Sequence, residues 1–162
     1  MRDDQPDDNA FDCVPALLKD RKWFDVSVDT IARRIERGER VELQAVHEMT
    51  DENGKTFEKL RIRLRISGIP RFQAGWHVTL LLYNKPIDGF GYHERFTDLD
   101  GAEQTGWHRH IWNEKTQDAQ GKQAVSLFDK GNPSFHNFLI WSFKEMSVSC
   151  PKDDDYANET LF

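Results

Sequence analysis

Three histidines and a run of arginines are the candidates for any chemistry this chain performs. His108-Arg109-His110 sits in TGWHRHIWN, residues 105–113, which read as a strand. Residues two apart on a strand point to the same side, so His108 and His110 are expected next to each other. His93 falls on the preceding strand and is placed to oppose one of them. Three imidazoles on one patch permit two chemistries. They could hold zinc or another transition metal with an open position. Alternatively, they could serve as general base and acid in phosphodiester cleavage, because imidazole titrates near neutrality. A bare His-x-His is equally compatible with a solvated or structural cluster, so whether the chain is an enzyme stays open. Asp98, Asp100 and Glu103 in the turn before this strand could add a ligand, but turns favour aspartate anyway. No carboxylate-rich ligand set stands out, and no metal or other cofactor is assigned.

The second constellation is basic. In TFEKLRIRLRIS, residues 56–67, Leu60, Ile62, Leu64 and Ile66 alternate with Lys59, Arg61, Arg63 and Arg65. A period of two, apolar on one side and basic on the other, is the pattern of an antiparallel sheet with one wet face. A basic stripe on a sheet can track a phosphate backbone. Arg61, Arg63, Arg65 and Arg109 form the candidate nucleic-acid-binding set, with Arg95 as a further bidentate phosphate donor. Trp76, Tyr92, Trp107 and Trp112 are near enough in sequence to stack bases. The plainer account pairs the ladder with Glu42, Gln44 and Glu48 on a neighbouring strand.

A local pattern repeats as Gly75-Trp76-His77, Gly91-Tyr92-His93 and Gly106-Trp107-His108. Its spacing is about one strand plus one turn, which places the three histidines on adjacent strands. Glycine opening a strand or a bulge, with an aromatic packed beside it, accounts for the repeat without any catalytic role.

These residues need a scaffold, and the rest of the chain predicts one. A short helix is expected over 14–20, and a second over 29–37, capped by Asp29 and ended by Gly38. Strands follow at 40–49, 56–67, 76–84, 88–96 and 105–113. Asn53-Gly54 marks the hairpin between the first two, Gly68-Ile69-Pro70 ends the second, and Asn84-Lys85-Pro86 turns the third. The polar stretch 114–131 reads as a loop. Pro133 and Ser134 open a final helix that ends near 147, with Phe135, Phe138, Leu139, Trp141, Ser142 and Met146 on its apolar stripe. Short connections favour antiparallel neighbours. The fold class is therefore α+β: an antiparallel meander of about five strands, one or two helices before it, and a C-terminal helix on its apolar face.

Length and composition agree with one domain. The chain has 162 residues, enough for a single core, and its 12% aromatic content argues for a packed one. Residues 1–12 carry −4 and residues 152–162 carry −3 of a net −6, which leaves the stretch between them faintly basic. The division expected is an acidic disordered tail over 1–10, an α+β domain over 11–150, and an acidic tail over 151–162. Cys13 and Cys150 are read as free thiols, since no CxxC spacing exists. The opening MRDDQPDDNAFD lacks the basic-then-apolar form of a secretory leader, and no apolar run reaches the length of a membrane span. A cytoplasmic protein without membrane contact is expected.

From about Arg61 to the last helix the sequence resembles the TumE-like toxins of bacterial toxin–antitoxin systems. The likeness rests on Gly91-Tyr92-His93, Asp98-Leu99-Asp100-Gly101, His108-Arg109-His110 and the helix around 135–147. It spans roughly half of the chain. The doubled histidines expected in that family just before His-x-His are missing here, and the N-terminal helical region is extra. The resemblance implies a toxin-like, RNA-directed role in a bacterium or phage, with His93, His108 and His110 catalytic and a cognate antitoxin as partner. The alternative expectation is a non-catalytic accessory module that works by protein contact. The acidic tails motivate it, because acidic peptides bind basic partners or mimic nucleic acid.

Overall fold

The alternation in residues 60–64 sets the plan of the molecule. Leu60, Ile62 and Leu64 are fully buried, while Arg61 and Arg63 between them are half-exposed. This two-sided strand lies near the middle of the sheet in the computed structural model, which describes residues 9–23, 27–36, 43–50, 53–54, 56–66, 75–125 and 134–150. In chain order the elements are α1 (Val14–Lys19), β1 (Lys22–Trp23), α2 (Val28–Glu36), β2 (Leu43–Thr50), β3 (Thr56–Ile66), β4 (Trp76–Leu82), β5 (Lys85–Thr97), β6 (Glu103–Asn113), β7 (Asp118–Ala124), α3 (Phe135–Glu145) and β8 (Val148–Ser149).

Among the described residues the strands form one sheet in the order β7-β6-β5-β4-β3-β2-β1-β8. The six long strands β2 to β7 are a continuous antiparallel meander. The short pair β1 and β8 runs parallel and extends it at one edge. The α+β meander read from the sequence is therefore the fold, lengthened by β7 and by this small parallel pair.

α3 covers the apolar side of the sheet, as its stripe requires. Its buried residues Phe135, Phe138, Leu139, Ser142 and Phe143 recur at helical spacing on one face. Ser134 caps it, its hydroxyl accepting from the Asn137 N–H at 3.1 Å. Phe138 packs on Trp76 and Trp107, with ring centroids 5.8 and 5.0 Å away, and Trp141 meets Phe90 edge-on. At the start of α2 the cap is Ser27, whose Oγ accepts from the Asp29 N–H at 3.1 Å. Asp29, expected as the cap, instead pairs with Arg33 one turn on. α1 is too short to hold itself together. The buried Lys22 ties it down by donating from Nζ to the Leu17 and Asp20 carbonyls, at 2.8 and 2.6 Å.

The turns differ from expectation at one place that shapes the site. β4 and β5 are joined by Tyr83-Asn84, both in left-handed backbone conformation, the form of a tight two-residue hairpin. β5 therefore begins at Lys85, three residues earlier than the sequence suggested, and includes Pro86. The ladder shifts register between Leu80 and Leu81 to accommodate it. The stretch expected as a loop after 113 contains β7, and 148–149 pair in the sheet just after the final helix. Residues 1–8 and 151–162, the segment around Gly38 and the Gly68-Ile69-Pro70 break lie outside the described residues. None of the described helices is long and apolar enough to cross a membrane.

Candidate functional site

The side of the sheet away from α3 carries the β3 arginines together with His77, His108 and His110, and strand register sorts them into rungs. At one level Arg65, His77, Gly91, His108 and Ala124 stand opposite one another across β3 to β7. Two residues along, the next rung is Arg63, Thr79, Gly89, His110 and Lys122. Directly opposed residues share a face. The arginine ladder and the His-x-His strand, separate signals in the sequence, therefore lie on the same face.

The Gly-aromatic-His repeat has a structural cause. Gly91 is opposite both His77 and His108, and Gly106 is opposite His93. Each histidine thus faces a glycine across the ladder. A Cβ on Gly91 would stand 2.6 Å from His77 Nδ1, and one on Gly89 would stand 2.7 Å from the Val78 carbonyl oxygen. The aromatics Trp76, Tyr92 and Trp107 fall on the opposite side, where Tyr92 and Trp76 both pack on Trp107. Three of the four residues expected to stack bases are thus part of the layer under α3. Trp112 packs on Phe11, with centroids 6.1 Å apart.

His108 and His110 sit together but in different surroundings. Their rings meet edge-on with centroids 5.1 Å apart. His108 is 0% exposed and lies against Phe96 at 5.0 Å. It is enclosed because β5, β6 and β7 curl. The Leu99 N–H, just past β5, donates to the Lys122 carbonyl on β7 at 3.1 Å, so the two strands flanking β6 approach each other. His110 is half-buried, with its Nδ1 3.1 Å from the Ala119 carbonyl oxygen. A carbonyl only accepts, so in the neutral ring Nδ1 carries the proton and Nε2 is the basic nitrogen. His93 occupies a register position opposite Gly106, not opposite His108 or His110 as expected; its side chain lies outside the described residues.

His110 lines a groove of about 610 Å³ together with Arg63, Thr79, Lys85, Lys122 and Asp118. The groove floor is β5, where Gly89 leaves no side chain between Thr79 and His110. Lys85 enters from the early start of β5. It donates to the Gln117 carbonyl at 2.8 Å and rests on the Phe11 ring at 4.5 Å. The lining of the groove thus includes three basic residues, one imidazole and a single carboxylate, Asp118. Such a site suits an anion with several oxygens. Sequence reasoning missed Lys85 and Lys122, because one was assigned to a turn and the other to a loop. Arg61 stands one rung further along β3, beside Leu81.

Arg109 is not in this groove. It alternates with His108 and His110 and so points to the α3 side, where it forms a two-pronged ion pair with buried Asp88, at 2.9 Å from Nε and 2.7 Å from Nη2. Its Nη2 also reaches the Glu145 carbonyl near the end of α3, and its guanidinium lies over Phe90. The hydrogen-bonded Asp88 carboxylate raises the already high pKa of Arg109. Burial pushes the Lys22 ammonium down to about 8, an effect that Asp88 and Asp20 oppose. Arg95 is likewise occupied, its Nε donating to Glu103 at 2.6 Å on the exposed rim. Asp98 closes the β5–β6 turn by accepting from the Asp100 and Ala102 N–H groups and from Gln104. Led by the Gln104 contact, these bonds hold its carboxyl below the usual range. His136 faces Asp29 from α3, far in the fold from the groove. Among the described residues, no three His, Cys, Asp or Glu side chains gather as a metal cage.

No known protein family, curated protein or solved structure matches this chain.

Proposed function

We propose that the groove binds the phosphate backbone of RNA and that His110 transfers a proton there during strand cleavage, in a toxin-type nuclease of the cytoplasm. The observation that carries this reading is the rung Arg63–Thr79–Gly89–His110–Lys122, whose charged members line one groove. Arg63 offers a planar fork to two phosphate oxygens, and the lysines add point charges. His110 supplies the basic Nε2, because Ala119 fixes the other nitrogen as donor. His108 works from behind, as packing that orients the His110 ring. Arg61, and Arg65 by its place in the register, extend the basic track along β3. A cognate antitoxin or other protein partner would compete for the same groove.

The test uses labelled RNA and purified full-length protein, with and without a chelator. His110→Ala is expected to abolish cleavage and keep binding. Arg63→Ala with Lys122→Ala is expected to lose binding. Undiminished cleavage by His110→Ala would remove His110 from the chemistry. A second reading, binding without cleavage by an accessory module, is favoured by the enclosure of His108, which leaves His110 as the only imidazole lining the groove among the described residues. RNA binding that depends on Arg63 and Lys122, without any cleavage by the wild type, would establish it.

A further inference from the structure

Resting on the nuclease reading, we infer that the groove cuts RNA through the substrate's own ribose: the 2′-hydroxyl is the nucleophile, and the product strand ends in a 2′,3′-cyclic phosphate. The composition of the groove points there. Arg63, Lys85 and Lys122 can neutralise a phosphate whose negative charge grows in the transition state. His110 can take one proton at Nε2. Asp118 is the lone carboxylate of the lining, and the N–H of Gln120 donates to it. Hydrolysis by water would require the site to hold and orient that water in line as well as to activate it. A ribose 2′-hydroxyl arrives already tethered beside its phosphorus, an advantage worth effective molarities on the order of 10⁵ M or more. A site with one imidazole and several basic residues supplies what this internal attack needs.

The step balances as follows. The 2′-oxygen bonds to phosphorus and its proton passes to His110 Nε2. The bond from phosphorus to the 5′-oxygen breaks. That oxygen takes a proton from water, and the imidazolium returns its proton to the hydroxide formed. The phosphate contacts come from Arg63 and the lysines, not from base-reading groups, so binding tolerates DNA while cleavage does not.

The experiment compares three oligonucleotides of one sequence: all-RNA, all-DNA, and DNA with one internal ribonucleotide. Cutting is expected in the all-RNA strand and, in the chimera, only on the 3′ side of the single ribonucleotide. The all-DNA strand is expected to bind with comparable affinity and be cut at least about a thousandfold more slowly. The new end is expected to resist phosphatase until the cyclic ester is opened with acid. RNA cleavage leaving a 3′-hydroxyl, or cleavage of the all-DNA strand at a rate close to that of RNA, overturns the inference and leaves the nuclease reading standing. No cleavage of any strand by folded, RNA-binding protein overturns both.

Discussion

Arg63 and Arg109 are the same residue on neighbouring parts of one sheet, and they do opposite things. Arg109 lies on the helix-covered side among fixed partners: two bonds to Asp88, a further bond to the Glu145 carbonyl and a ring beneath it. Arg63 lies on the other side, in a groove shared with Lys85, Lys122 and His110. The first holds the fold together; the second lines a groove suited to an anion. Structural and binding roles are thus divided between the two faces of the sheet, and the face decides which role an arginine takes.

The sharpest way to break this contrast is to remove each arginine. Asp88 is 2% exposed, so Arg109→Ala strands a buried carboxylate. The expected loss is about 3–5 kcal/mol, read from urea unfolding. Arg63→Ala is expected to change stability by less than about 1 kcal/mol and to weaken RNA binding instead. Equal destabilisation by the two variants would refute the division.

Lys22 extends the same comparison to pH. Its folded pKa of about 8 lies below its ordinary value of 10.5. Between those values the unfolded chain keeps a proton that the folded chain has released, so stability rises as pH increases from about 8 to 10.5. The full span corresponds to about 3 kcal/mol. The measurement is unfolding free energy against pH for the wild type and for Lys22→Met. The difference between the two curves should climb across that window, and a flat difference would mean that the Leu17, Leu18 and Asp20 carbonyls around Nζ keep the ammonium charged. RNA binding should not follow the same curve, because Lys22 lies away from the groove.

The two faces were unequally legible in the sequence. β3 and α3 could be read because strong apolar periodicity survives burial: Leu60, Ile62 and Leu64 in one, Phe135, Phe138 and Leu139 in the other. The groove was legible only in part. His108 and His110 on one side followed from the period of two, and the same period puts Arg109 on the other side, so its assignment to phosphate binding contradicted the rule that paired the histidines. β7 was missed because DAQGKQA is an edge strand with little to bury beyond Ala119. Its Lys122 went with it. The meeting of the Arg ladder with His-x-His depends on register across five strands, which no local pattern encodes. The glycines opposite the histidines were visible, but their purpose appears only once Gly91 is seen between His77 and His108.

On the basic face a smaller effect distinguishes the groove from diffuse attraction. Single-stranded RNA bound through three phosphate contacts should lose affinity with salt at a slope of roughly −2 in log–log form, about −0.7 per contact. Lys122→Ala should reduce the slope by about 0.7. Lys115→Ala, exposed in the β6–β7 turn, should leave it unchanged. A slope that falls equally with either lysine would mean that the whole surface, not the groove, attracts RNA.

The helix-covered face has its own imperfection, and it yields the smallest effect. Ser142 is fully buried on α3, and its Oγ has no hydrogen-bond partner among the described residues. A buried hydroxyl without a partner forfeits its bonds to water and gains nothing in return. Ser142→Ala removes that loss and leaves a methyl of nearly the same size among Phe138, Leu139 and Phe143. The expected result is a gain of about 0.5–1 kcal/mol in unfolding free energy, with RNA binding unaltered. A destabilised variant would show that the hydroxyl is bonded in solution. Weakened RNA binding would show that the two faces are coupled through the sheet, which is the outcome most damaging to a separation of roles between them.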